Sequence, residues 1–188
     1  ENMFKNFLIT CAEMLNREDI LNELYKFDTV ENVQSNQNDI LRLIHYYNHT
    51  AAAVFEHYIE LITSETVSSN NLSEIEYCKL SYEPIKIIEV TDEIGHELKF
   101  TTTPFFIKIL HPNKLCKVTY HFTPAEIKDF SDPITIPKKV QRAIAYAVVS
   151  EFLASKELFK ESVFWKDKFT NELFKLKQKK ERRLKSTF

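Results

Sequence analysis

His45 and His49 stand four residues apart in a stretch with helical periodicity, so both imidazoles project from one face, a spacing that can hold a metal ion. Zinc-protease helices of this kind carry Glu directly after the first His, but Tyr46 occupies that place, and His57 lies about two turns further on. The three read as a solvated or interfacial face, with no metal. Glu74/Glu76 and Asp92/Glu93 are examples of acidic pairs. Carboxylates do acid–base work only where they converge in a cleft with shifted pKa values, and these flank strands and turns. They read as edge and turn charges. Cys11, Cys78 and Cys116 are odd in number, far apart and in apolar surroundings, with no Cys-x-x-Cys pair. That spacing suggests neither a zinc ribbon nor a disulfide framework; buried thiols in a reducing compartment are expected. Phe105-Phe106 and Tyr120-His121-Phe122, with Lys108 and Lys117 between them, have the residue types of a stacking platform for single-stranded nucleic acid. Successive strand residues face opposite sides, so core aromatics with exposed lysines fit better.

The chain contains one glycine in 188 residues. Glycine is what a phosphate-cradling loop needs, so P-loop and dinucleotide sites are excluded, as is a Gly-x-Ser-x-Gly nucleophile elbow. No catalytic, cofactor-binding or metal residue is assigned. Charge is the other signal. Residues 175–185 hold seven Lys/Arg and one Glu, a local +6, which leaves the remainder at −8 out of a net −2. An acidic body with a basic end implies an acidic partner for that end. Three readings of this end are open: a solvated helix terminus, a sequence-independent nucleic-acid patch, or a segment that docks on protein. Leu184 and Phe188 place apolar anchors among Lys175, Lys177, Lys179, Lys180, Arg182, Arg183 and Lys185, which favours docking.

The elements that would position these residues are legible from periodicity. A hydrophobic share of 44% is enough for a core, and no apolar run of about 18 residues calls for a membrane span or signal peptide. Positions 4, 7, 8, 11, 12 and 15 are apolar at helical spacing, Asn16 breaks or kinks that helix, and 18–25 continue it. Residues 27–37 read as a loop. A long helix is expected over 38–62, with Ile40, Ile44, Tyr47, Ala51, Val54, Tyr58 and Leu61 as its seam. Residues 64–73 are rich in Ser, Thr and Asn and read as a linker. Period-2 stretches follow at 75–80, 85–90, 98–101, 105–110 and 115–120, with a turn at 92–95 and a hairpin joining the last two strands through His111-Pro112-Asn113-Lys114. Pro137 opens a helix over 138–155, alanine-rich at 143, 145, 147 and 154. After a tight link at 155–157, a last helix runs from 158 to at least 178. Ala143 and Ala147 should pack against its stripe of Trp165, Phe169, Leu173 and Leu176.

The fold class is α+β: a bundle of two N-terminal and two C-terminal helices with an inserted small antiparallel sheet and an extended basic C-terminal tail. Segments 1–66 and 134–178 form the helical domain, 74–123 the β insertion and 179–188 the docking tail.

Three segments resemble the head–tail connector, or adaptor, proteins of tailed bacteriophages. They are the helix pair FLITCAEMLNREDILNELY and NDILRLIHYYNHTAAAVFEHYIELI, the strand and crossing KVTYHFTPAEIKDFSDPITIP, and the alanine-rich helix, loop and aromatic helix AIAYAVVSEFLASKELFKESVFWKDKFTNEL. Many relatives have Gly where Lys156-Glu157 stands. The resemblance implies a non-enzymatic structural protein of the virion neck, assembled in the host cytoplasm. Such proteins form a homo-oligomeric ring of commonly about twelve copies, closed by heterologous packing. The portal protein would lie on one side and tail or stopper proteins on the other, with genomic DNA passing through the lumen unbound and no membrane involved. It also implies that residues 175–188 dock on the portal. Another neck or tail-tube ring protein, and a nucleic-acid-binding helical module, remain the alternatives.

Overall fold

The computed structural model describes residues 3–112 and 114–185, with side chains through 177. The fold is α+β. The chain forms two compact units, one of residues up to 54 together with 126 onward, the other of residues 55–125.

The helical unit holds α1 (Phe4–Met14), α2 (Glu18–Lys26), most of α3 (Gln37–His57), α4 (Lys138–Ser155) and α5 (Phe159–Lys185). α1 buries Phe4, Phe7, Leu8, Cys11 and Ala12, the positions its periodicity marks. Among the described residues no side chain caps its start; the amides of Phe4 and Lys5 donate to the carbonyls of Asp132 and Phe130. α3 buries Ile40, Leu43, Ile44, Tyr47, Ala51 and Val54, and Tyr47 meets Phe4 and Phe7 edge-on at 4.8 and 4.9 Å. Asn48 bonds both ways with Ile127, amide to carbonyl at 2.7 Å and backbone N–H to Oδ1 at 2.9 Å, as a strand partner would. α3 stops at His57, short of the expected 62, so Tyr58 and Leu61 leave its seam.

The β unit contains two antiparallel three-stranded sheets. One is ordered β1 (Ile62–Ser68), β6 (Leu115–Phe122), β3 (Pro84–Thr91); the other β2 (Glu74–Glu76), β5 (Phe106–Ile109), β4 (Phe100–Thr102). Ile75, Ile87, Val90, Ile107, Ile109, Cys116, Val118 and Tyr120 form its core. Three expectations change. Of the segment 64–73 read as a linker, 64–68 belong to strand β1, whose seven residues pair in register with β6. Its Ser and Thr alternate with Glu65 and Val67, and half-buried polar positions on an edge strand give no apolar signal. The expected hairpin of 105–110 with 115–120 does not form: β5 and β6 are each the centre of a different sheet. The link between them is tied elsewhere, since Ser69 Oγ accepts the Lys114 N–H and donates to the His111 carbonyl. Lastly, β2 ends at Glu76 and a 3₁₀ turn, Tyr77–Lys79, leaves Cys78 exposed rather than buried; Cys11 and Cys116 are buried.

Candidate functional site

The α4–α5 hairpin is the place where sequence and structure converge. α4 starts after Pro137, whose φ of −60° suits a helix entrance and whose carbonyl accepts the amides of Val140 and Gln141. From Ala143 to Ser150 every residue is buried. Alanine at 143, 145 and 147 lets neighbouring elements come close on more than one side of the helix.

The link to α5 is a left-handed cap. The amide of Leu158 donates to the carbonyl of Leu153 and that of Glu157 to Ala154, both at 3.0 Å, with Glu157 at φ +63°. This is the paired-bond termination that usually carries glycine. Past it the helices run antiparallel, with Ser150 beside Ser162 and Tyr146 beside Trp165. Ser150 Oγ lies 2.9 Å from the Ser162 carbonyl and 3.1 Å from its hydroxyl, and the Tyr146 and Trp165 rings are 5.5 Å apart. Ala143 and Ala147 are buried, while Trp165, Phe169 and Leu173 are half-buried along the inward line of α5. The Lys168 ammonium sits among three rings, 4.4 Å from Phe164, 4.5 Å from Trp165 and 5.8 Å from Tyr146.

The turn end of the hairpin is anchored by charge. Asp39, in the first turn of α3, accepts from Lys156 at 2.9 Å and from Arg17 at 3.0 Å. Both cations also lie over the Phe152 ring, at 5.4 and 6.0 Å. Burial raises the Asp39 pKa, but the bonds and charges of Lys156 and Arg17 outweigh it and hold the carboxyl below its ordinary value.

α5 carries a second apolar line that the sequence reading missed. Phe159, Val163 and Phe174 are 63%, 56% and 61% exposed. At 3.6 residues per turn they fall within about 60° of one another, and their line is centred about 110° round the helix from that of Trp165, Phe169 and Leu173, with Leu173 and Phe159 at the adjoining edges. The signal was present in the spacing, but the stronger inward stripe masked it.

The basic segment is placed in part. Lys175 and Lys177 are exposed, and Lys175 bonds Glu172 at 2.8 Å. The backbone of 178–185 continues α5, so helix replaces the extended tail expected from 179. The side chains of Lys179, Lys180, Arg182, Arg183, Leu184 and Lys185, and all of Phe188, lie outside the described residues.

The other candidates are dispersed. His45 and His49 are exposed on α3, and among the described residues no group of three His, Cys, Asp or Glu is placed to hold a metal. Asp92 is engaged in its own turn: backbone bonds from His96, opposed by burial and joined by one from Ile94, keep its pKa low. Phe105, expected in the core, is 77% exposed at a turn, and Phe106 is half-buried. Among the described residues no helix is long and apolar enough to cross a membrane. The hairpin leaves apolar residues exposed in line on a 27-residue helix whose sequence becomes basic toward its end. No model of a known protein family matches the chain, and no curated protein matches it.

Proposed function

We propose that this chain is a structural subunit of a tailed-phage neck: a head–tail adaptor that closes into a ring of its own copies, docks on the portal and joins it to the tail. It works by assembly rather than catalysis, and DNA passes through the ring without being held. The observation that carries this reading is α5, a long helix whose inward stripe packs on α4 while Phe159, Val163 and Phe174 face outward. Apolar residues exposed in line on one helix are what a subunit presents to a neighbour. The basic residues from 175 onward supply the charge for an acidic portal surface.

The test is to purify the full chain with and without portal protein and image it. Rings, or a ring seated on the portal, are expected; monomers under every condition, portal included, would sink the reading. The +6 end also favours a second reading, a nucleic-acid-binding module. Deleting residues 175–188 separates the two. Loss of portal binding marks the adaptor, and loss of salt-sensitive DNA binding marks the module. Contact with tail proteins alone would indicate another ring of the neck or tail.

A further inference from the structure

The β unit uses one turn twice. In Asn70–Glu74 and Asp92–His96 the first side chain accepts two amides through Oδ1, from Leu72 and Glu74 (2.9 and 2.8 Å) and from Ile94 and His96 (3.0 and 2.9 Å). In both, the first amide donates to the fifth carbonyl and the fourth amide to the first carbonyl. In both, the fourth residue is left-handed, Ser73 at φ +63° and Gly95 at φ +91°. This is a three-residue hairpin loop closed by a left-handed residue. Its tip normally carries polar residues, which solvate well and bond their own backbone. Here the tips carry Leu72 and Ile94, 68% and 81% exposed.

The two turns lie at one end of the unit, joined through a third loop. Lys114 reaches Asp92 with its ammonium at 3.5 Å and exchanges two bonds of 2.9 Å with Ser69. That loop leaves β5 with Leu110, 75% exposed, directly after the Ile109 amide donates to the Ser73 carbonyl. Three aliphatic side chains, two of them on the tips of hydrogen-bonded turns, thus stand exposed at one end of the β unit.

We infer that this turn end is one half of the contact between copies of the chain, and that the outward face of α5 on the next copy is the other half. The inference rests on the ring reading and names its mating surfaces. Charge complementarity selects the occupant. The turn segments 70–74, 92–97 and 110–114 hold Glu74, Asp92, Glu93 and Glu97 against Lys114, a net −3, and residues 159–177 of α5 hold five Lys against three Asp/Glu, a net +2. Glu93 and Glu97 are exposed near Ile94; on α5 the exposed Lys166 borders the line of Phe159, Val163 and Phe174, Lys177 continues it, and Asp167 lies on its other edge. Aliphatic knobs beside acids on one surface match aromatic and aliphatic residues beside lysines on the other. The surfaces differ, so the contact is heterologous and repeats from copy to copy.

The experiment uses the full chain in a Cys78→Ser background, with mass followed against concentration by light scattering. A turn variant (Leu72→Asp, Ile94→Asp, Leu110→Asp) and a helix variant (Val163→Asp, Phe174→Asp) should each raise the concentration needed for assembly about tenfold or more. Mixed one to one they should form a dimer and stop, because each pair retains a single intact contact. As a check independent of the acidic variants, Ile94→Cys and Val163→Cys on separate molecules should form a disulfide-linked dimer on oxidation. A turn variant that still makes rings like the parent overturns this contact and leaves the adaptor reading standing. A parent chain that never self-associates overturns the contact too, and the adaptor reading is then decided by whether the portal gathers it into a ring. Failure of the mixed variants to pair, or pelleting of the parent with phosphatidylcholine vesicles that the turn variant loses, would also overturn it.

Discussion

α4 and α5 are neighbours in one hairpin and use their apolar residues in opposite ways. α4 buries every residue from Ala143 to Ser150, including Tyr146 and two valines. α5 is longer, 27 residues against 18, yet Ser162 is the one position of 159–177 that is buried. Its remaining inward residues are half-covered, and Phe159, Val163, Phe164 and Phe174 are exposed. The lesson is that apolar content alone does not assign a residue to the core. On α4 it holds the unit together; on α5 much of it contributes little to folding and is free for association. The sharpest way to break this comparison is a matched pair of truncations. Ile144→Ala, at a fully buried site, should cost about 2–5 kcal/mol in urea unfolding. Val163→Ala should stay within about 0.5 kcal/mol while weakening self-association. Similar unfolding costs at both sites would mean that the α5 face is already covered within the chain.

The next effect concerns the anchor at the hairpin's turn. Asp39→Asn keeps the shape and removes the charge that Lys156 and Arg17 share. Charge-assisted bonds reach about 1.5–3 kcal/mol each, but Lys156 is partly exposed, so the expected cost at neutral pH is about 1 kcal/mol. The pH dependence has a definite sign. The folded carboxyl titrates below the unfolded value of about 3.9. Its contribution is therefore complete above that value and is lost as pH falls through it toward the lower folded pKa. Unfolding of parent and variant followed from pH 7 to 2 should show curves that differ at neutral pH and converge in acid. A gap that persists in acid would show that the Asp39→Asn change destabilises for reasons other than charge.

The sequence is most legible where one physical requirement dominates. α4 has the bounds its periodicity predicts, because Pro137 fixes its start and alanines make it a helix in any context. The turn at 92–95 is read from Asp and the only glycine. Legibility fails where tertiary partners decide. Nothing local says that Ser64, Thr66 and Ser68 belong to a strand, since β1 exists by pairing with β6, some 50 residues away. Nothing local forbids β5 and β6 from pairing, yet β2 and β4 claim one, and β1 and β3 the other. For the candidate site, the inward stripe of α5 is plain in the spacing of Trp165, Phe169 and Leu173. The outward one becomes visible only when burial shows which apolar residues α4 leaves uncovered. The twin turns were half seen, because the loop with glycine announces itself and the loop with Ser73 does not.

The smallest effect tests the link itself. α1 and α4 end in the same left-handed cap: Asn16 donates to Glu13 and Arg17 to Ala12, as Glu157 does to Ala154 and Leu158 to Leu153. Asn tolerates the left-handed region through its short polar side chain, whereas Glu at φ +63° carries a Cβ clash of about 1–2 kcal/mol. Glycine relieves that strain and costs about 0.5–1 kcal/mol of unfolded-chain entropy. Glu157→Gly should therefore stabilise by up to about 1 kcal/mol, Asn16→Gly should change little, and Glu157→Val, with its branched Cβ, should destabilise. Thermal unfolding of the three variants measures this. A hairpin held mainly by α4–α5 packing will keep its ring-forming behaviour through all three changes. If Glu157→Gly stabilises the fold yet weakens assembly, the strained link is itself what aims α5 at its neighbour.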